Sequence, residues 1–122
     1  MSNHPIVHIE LSSKDLAATS KFYQEAFGWQ VQQEPEMNYA TFATGENEVG
    51  GGFSPVGEHN PAGTIMVYIG TGSIEESLKK VESLGAVCVA PKTEIPGMGW
   101  FAVFRDLAGN DVGLFQTLPG MG

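Results

Sequence analysis

Cysteine is nearly missing from this chain: Cys88 is the only one in 122 residues. A single thiol cannot close an intrachain disulfide or build a structural zinc cluster, so a reducing, cytoplasmic setting is expected. Cys88 lies in the apolar run AVCVA with no base visible beside it, which reads as a small buried hydrophobe and not as a nucleophile. Positive charge is scarce as well. Six Lys and Arg stand against 14 Asp and Glu, for a formal charge of -8. Neutralising phosphates takes clustered cations, which argues against nucleic acid and anionic membrane surfaces as partners. Long apolar runs are also lacking: no stretch approaches the roughly 18 residues of a membrane helix. The opening MSNHPIVHIEL has neither the cationic nor the apolar region of a signal peptide. What is present is 42% apolar residues, enough to bury a core, in a length that suits a single domain over residues 1–122.

Hydrophobic period organises that domain. In IVHIEL, Val7, Ile9 and Leu11 alternate with Ile6, His8 and Glu10, the two-residue repeat of a strand. DLAATSKFYQEAFG then places Leu16, Thr19, Tyr23 and Phe27 on one helix face, with Asp15 as N-cap and Gly28 as the left-handed stop. Three strands are expected next, in WQVQQE, MNYATFAT and NEVGGGFS. The order then recurs. TIMVYI alternates, SIEESLKKVESLG carries a capping box from Ser73 to Glu76 and ends at Gly85, and AVCVA, WFAVFRD and DVGLFQ supply three more strands. Asp15 and Ser73 are 58 residues apart, Gly28 and Gly85 are 57 apart. Coincident caps, stops and apolar phases read as one duplicated βαβββ unit, about 5–55 and about 63–118. The class is α+β. In each unit the strand face carrying Val7, Ile9 and Leu11, or Ile65, Val67 and Ile69, should lie under the helix, which leaves the other face for function.

Two βαβββ units of this length resemble the vicinal oxygen chelate superfamily, which includes glyoxalase, bleomycin-resistance proteins and extradiol dioxygenases. The resemblance rests on HIELSSKDLAATSKFYQEAFGW and on IPGMGWFAVFRDLAGNDVGLFQ, with Leu107 in place of a proline often found after the aspartate. It implies an open, curled mixed sheet around a cavity, one helix per unit on the outer face, and a homodimer. Metal-dependent relatives place histidines and glutamates on the first and last strands of each unit. Here the first position is His8, its partner by the 58-residue offset is Met66, and the last-strand positions are Gly50 and Gly113. One ligand of four, or two with Glu10, does not hold a divalent ion, so no metal or other cofactor is expected and extradiol chemistry is disfavoured.

His8 and Glu10, two apart on one strand face, are the candidate catalytic pair, a base and a carboxylate able to move a proton or hold a ligand cation. They could equally serve hydrogen bonds between strands or to a dimer partner. Tyr68, Met66, Tyr39, Trp100 and Met98 are the candidate ligand contacts. Glycines 50 to 52 read either as a close approach of ligand or backbone, or as space for a facing aromatic ring. KTEIPGMGW reads as a lip over the cavity that moves on binding, and Arg105 as a structural ion-pair residue opening a turn with Asp106. Two functions remain open. One is metal-independent binding of a cationic or aromatic small molecule; the other is a glyoxalase-like lyase or isomerase acting on a small carbonyl or thioester, with His8 or Glu10 as base.

Overall fold

Each helix begins where a side chain closes off a strand, and the two closures match bond for bond. Asp15 accepts from Ala18 N at 3.0 Å, and Ser73 accepts from Glu76 N at 3.2 Å. Before each cap sits a hydroxyl that accepts from the cap's own N–H, Ser13 for Asp15 and Thr71 for Ser73, both at 3.2 Å. The same hydroxyls meet a second one in the helix, Ser13 with Thr19 and Thr71 with Ser77, both at 2.7 Å. All three pairs of positions are 58 residues apart. The duplication is therefore visible in side-chain chemistry as well as in element order.

A computed structural model describes residues 4–118. Among them are β1 Ile6–Ser13, α1 Leu16–Phe27, β2 Gln30–Glu34, β3 Tyr39–Ala43, β4 Gly50–Pro55, β5 Ile65–Gly70, α2 Ile74–Ser83, β6 Val87–Ile95, β7 Gly99–Arg105 and β8 Asp111–Thr117. This is the α+β class with βαβββ twice. No helix among the described residues is long and apolar enough to cross a membrane. The chain divides into two compact units, one over Val7–Met66 and the other from Val67 onward together with the residues up to Ile6.

In the first unit the strands lie in the order β2-β3-β4-β1, with β1 parallel to β4 and the remaining pairs antiparallel. Gly28 ends α1 at φ 72°, a left-handed turn that suits glycine. Ala40, Phe42 and Phe53 are buried beneath the helix, with Leu11, Leu16, Tyr23, Trp29 and Val31 around them. Tyr23, Trp29 and Phe42 stack in sequence, with ring centroids 4.7 and 4.6 Å apart, and Phe53 lies 5.0 Å from Phe42. The second unit has the order β6-β7-β8-β5, with β5 parallel to β8, over a core of Ile74, Ala102, Phe104 and Leu114. Leu11 and Ile69 join these cores as the alternation requires, but Val7 and Ile65 remain 40% and 66% exposed. The outer ends of β1 and β5 thus lie outside both cores.

Two expectations are corrected by the second unit. KTEIPGMGW is not a free lip: Thr93, Glu94 and Ile95 belong to β6 and pair with Phe101, Trp100 and Gly99. Only residues 96–98 turn, tied by Met98 N to Ile95 O at 2.9 Å. Trp100 packs against the α2 core, with Lys92 Nζ 4.6 Å over its ring, so it stands on the helix side of the sheet. Arg105 forms the structural ion pair expected of it, with Asp111 across the hairpin at 2.7 and 3.1 Å.

Asp106 instead organises the turn, accepting from Ala108 N and Asn110 N at 2.9 Å and from Asn110 Nδ2 at 3.0 Å. The donors of Asn110, ahead of the turn amides, hold its carboxyl below the ordinary value of 3.8. A lowered folded-state value means stability that is present above the unfolded value and is lost as pH falls through the folded one. Asp106→Asn is therefore expected to lessen the fall of thermal midpoint as pH drops below the unfolded carboxylate value of about 4. A melting series in which the two curves keep a constant offset would contradict this.

Candidate functional site

Strand alternation decides which side chains share the helix-free face of the first unit. On β3, Ala40 and Phe42 enter the core, so Tyr39 and Thr41 point the other way; on β1, Leu11 enters the core, so His8 and Glu10 join them. Three of these side chains meet. Tyr39 donates its hydroxyl proton to Glu10 Oε2 at 3.0 Å. With that proton committed, the phenol oxygen accepts from His8 Nε2 at 2.8 Å. His8 Nε2 and Glu10 Oε2 are 3.5 Å apart, with side chains 31% and 26% exposed. The result is a hydrogen-bonded chain from imidazole through phenol to carboxylate, able to hold a polar group or pass a proton.

Glycine makes the arrangement possible. Register places His8 opposite Gly50 and Glu10 opposite Gly52. A Cβ on Gly52 would fall within the Tyr39 ring, so the ring lies across β4 where a side chain would otherwise stand. Of the two sequence readings for these glycines, space for a facing ring describes Gly52. At Gly51 a Cβ would strike the Ile9 carbonyl and the Phe42 ring, which is close packing of the core. Sequence reasoning singled out Tyr39 but missed that Gly52 seats it. The available signal was glycine at alternate positions, 50 and 52, beside a strand that begins with an aromatic residue.

The other candidates are placed differently. Tyr68 lies on β5 opposite Gly113 in β8, where a Cβ would overlap its ring, so the second unit also seats a tyrosine on a glycine. Met66 is half-buried on the same strand, and Met98 is 47% exposed at the tip of the β6–β7 hairpin. Trp100, in the α2 core, is removed from the face. The pairing also revises the repeat. Because His8 pairs with Gly50 and Tyr68 with Gly113, the counterpart of His8 is Tyr68, 60 residues on, and not Met66. The helix caps keep the 58-residue offset because β1 has two more residues than β5.

Among the described residues, no three His, Cys, Asp or Glu side chains gather where they could hold one metal ion. His8 and Glu10 are two donors, and the residues opposite them on β4 are glycines. This donor set does not fit a divalent centre of three or more protein ligands.

Residues 5–114 match the Glyoxalase/Bleomycin resistance protein/Dioxygenase superfamily. The chain belongs to that superfamily. As a superfamily member it is similar to the anthracycline biosynthesis protein DnrV of Streptomyces peucetius, 29% identical over 116 residues covering 82% of this chain and 42% of the relative. It is 28% identical, with the same coverage, to the anthracycline biosynthesis protein DauV of Streptomyces sp. strain C5. The chain thus spans less than half the length of these curated relatives. In fold it is similar to a hypothetical protein, BH1468, from Bacillus halodurans C-125, with a TM-score of 0.76 at 15% identity over 99% of each chain. It is also similar to methylmalonyl-CoA epimerase from Mycobacterium tuberculosis, with a TM-score of 0.71 at 12% identity, over 93% of this chain and 88% of that one. At such identities these structures speak for the architecture alone.

Proposed function

We propose that this superfamily member binds a small organic molecule on the helix-free face of its first unit, without a catalytic metal. The observation that carries the reading is the chain from His8 through Tyr39 to Glu10, three half-buried polar groups converging on the face that the core does not use. Half-buried polar groups that add nothing to core packing mark a recognition surface. The likeness to two proteins of anthracycline biosynthesis supports an aromatic ligand, with Met66 as a further contact. A homodimer, as the resemblance implies, and a cytoplasmic setting, which the single cysteine suggests, belong to the same proposal.

One observation favours a second reading. The phenol of Tyr39 connects a base to a carboxylate, as a lyase or isomerase acting on a small carbonyl or thioester would use, with His8 or Glu10 taking the proton. Thermal shift separates both readings from none, since a ligand raises the melting point in proportion to RT ln(1 + [L]/Kd). An anthracycline, an aromatic ammonium, a glutathione conjugate and an acyl-CoA thioester are the probes. At least one is expected to stabilise the parent, and Glu10→Gln is expected to remove most of that gain. No stabilisation by any of the four would overturn the proposal. Exchange of a thioester's α-proton in heavy water, lost in Glu10→Gln, would favour the enzyme.

A further inference from the structure

The geometry points to a ligand class for this site, and to the pair that sets it: we infer that Glu10 receives an ammonium group in preference to a guanidinium, because Tyr39, seated on Gly52, occupies one of its two oxygens. The inference rests on the proposed binding role of the first unit.

The charge of that unit favours a cation. Between Val7 and Met66 there are eight acidic residues and two basic ones, Lys14 and Lys21, so most of the chain's negative excess belongs to this unit. Glu10 has no lysine or arginine partner among the described residues; His8 Nε2 lies 3.5 Å from its Oε2. A half-buried carboxylate without a permanent cation is poised to take one from a ligand.

The two oxygens of Glu10 are not equivalent. Oε2 accepts the Tyr39 proton at 3.0 Å and lies 3.5 Å from His8 Nε2, so two side chains crowd it. Oε1 carries none of these contacts. A guanidinium gains its advantage by engaging both oxygens of a carboxylate through parallel N–H bonds. An ammonium is a point charge that needs one. Tyr39 thereby takes one of the two lone-pair sites on Oε2 and, with His8 beside it, leaves Oε1 the more open acceptor. The ring reaches this place only because position 52 has no side chain, since any Cβ there would displace it. Tyr39 and Gly52 are positioning residues, and Glu10 is the residue that touches ligand.

Calorimetric titration with naphthylmethylammonium, naphthylmethylguanidinium and naphthylmethanol tests this, since the three share an aromatic body and differ in the polar group. In the parent the ammonium is expected to bind roughly tenfold more tightly than either of the others, the fold-change that one charge-assisted hydrogen bond supplies. Tyr39→Phe is expected to free Oε2 and bring the guanidinium level with the ammonium. Gly52→Ala should do the same by moving the ring. A structural defect would weaken all three probes together. Guanidinium binding at least as tight as ammonium in the parent, or a ratio that neither variant changes, overturns the inference while the binding site stands. If none of the three probes binds, the proposed function falls and takes the inference with it.

Discussion

Phe53→Ala is expected to remove about 3 to 5 kcal/mol of folding stability, a large part of the 5 to 15 kcal/mol that keeps a typical domain folded. Phe53 is completely buried, and its ring lies 5.4 Å from Tyr23 and 5.0 Å from Phe42. Truncation loses its own burial and unseats both neighbours. Because Tyr23 and Phe42 both stack on Trp29, the cavity cannot be filled by one side chain swinging inward. Urea denaturation followed by tryptophan fluorescence, to which Trp29 and Trp100 both contribute, would read the loss. A change below about 1 kcal/mol would mean that the stack relaxes freely and does not hold the first unit together.

Gly51→Ala is expected to do comparable damage, about 3 kcal/mol or more, at the upper end of what overpacking costs. The added Cβ would meet the Ile9 carbonyl, which belongs to the strand paired with Gly51. Backbone in a paired strand cannot step aside without breaking the ladder between β1 and β4. The adjacent Gly52→Ala should behave otherwise, because the Cβ meets the far end of the Tyr39 side chain, which can swing away. Chemical melts of the two variants should therefore separate widely, with Gly51→Ala losing most of its stability and Gly52→Ala staying near the parent. Equal destabilisation would show that the Tyr39 ring is fixed as firmly as backbone.

Much of this was legible in the residues. Asp15, Ser73, Gly28 and Gly85 marked the helix ends because caps and left-handed stops are local chemistry, and local chemistry is written in short windows. The shared face of His8 and Glu10 followed from strand period alone. Trp100 was misplaced because WFAVF is apolar throughout, and a run without alternation does not say which residues face the core. The length of β6 was missed because Pro91 resembles a strand end. The structure accommodates it on an edge strand, within the register shift between Ala90 and Thr93. The role of Tyr39 was out of reach because it depends on a register between β1, β4 and β3 that no single segment specifies.

That same edge strand bears on behaviour at high concentration. An edge that is regular, flat and apolar recruits strands from other molecules, and β6, with Val87 and Val89 exposed, has the composition for it. Pro91 has no N–H to offer a ladder, the two register shifts interrupt the strand, and Lys92 places a charge beside them, held by Glu75 at 3.1 Å. A stray strand would find neither a continuous ladder nor a neutral surface, so this border of the sheet is defended against fibril growth by its own irregularity.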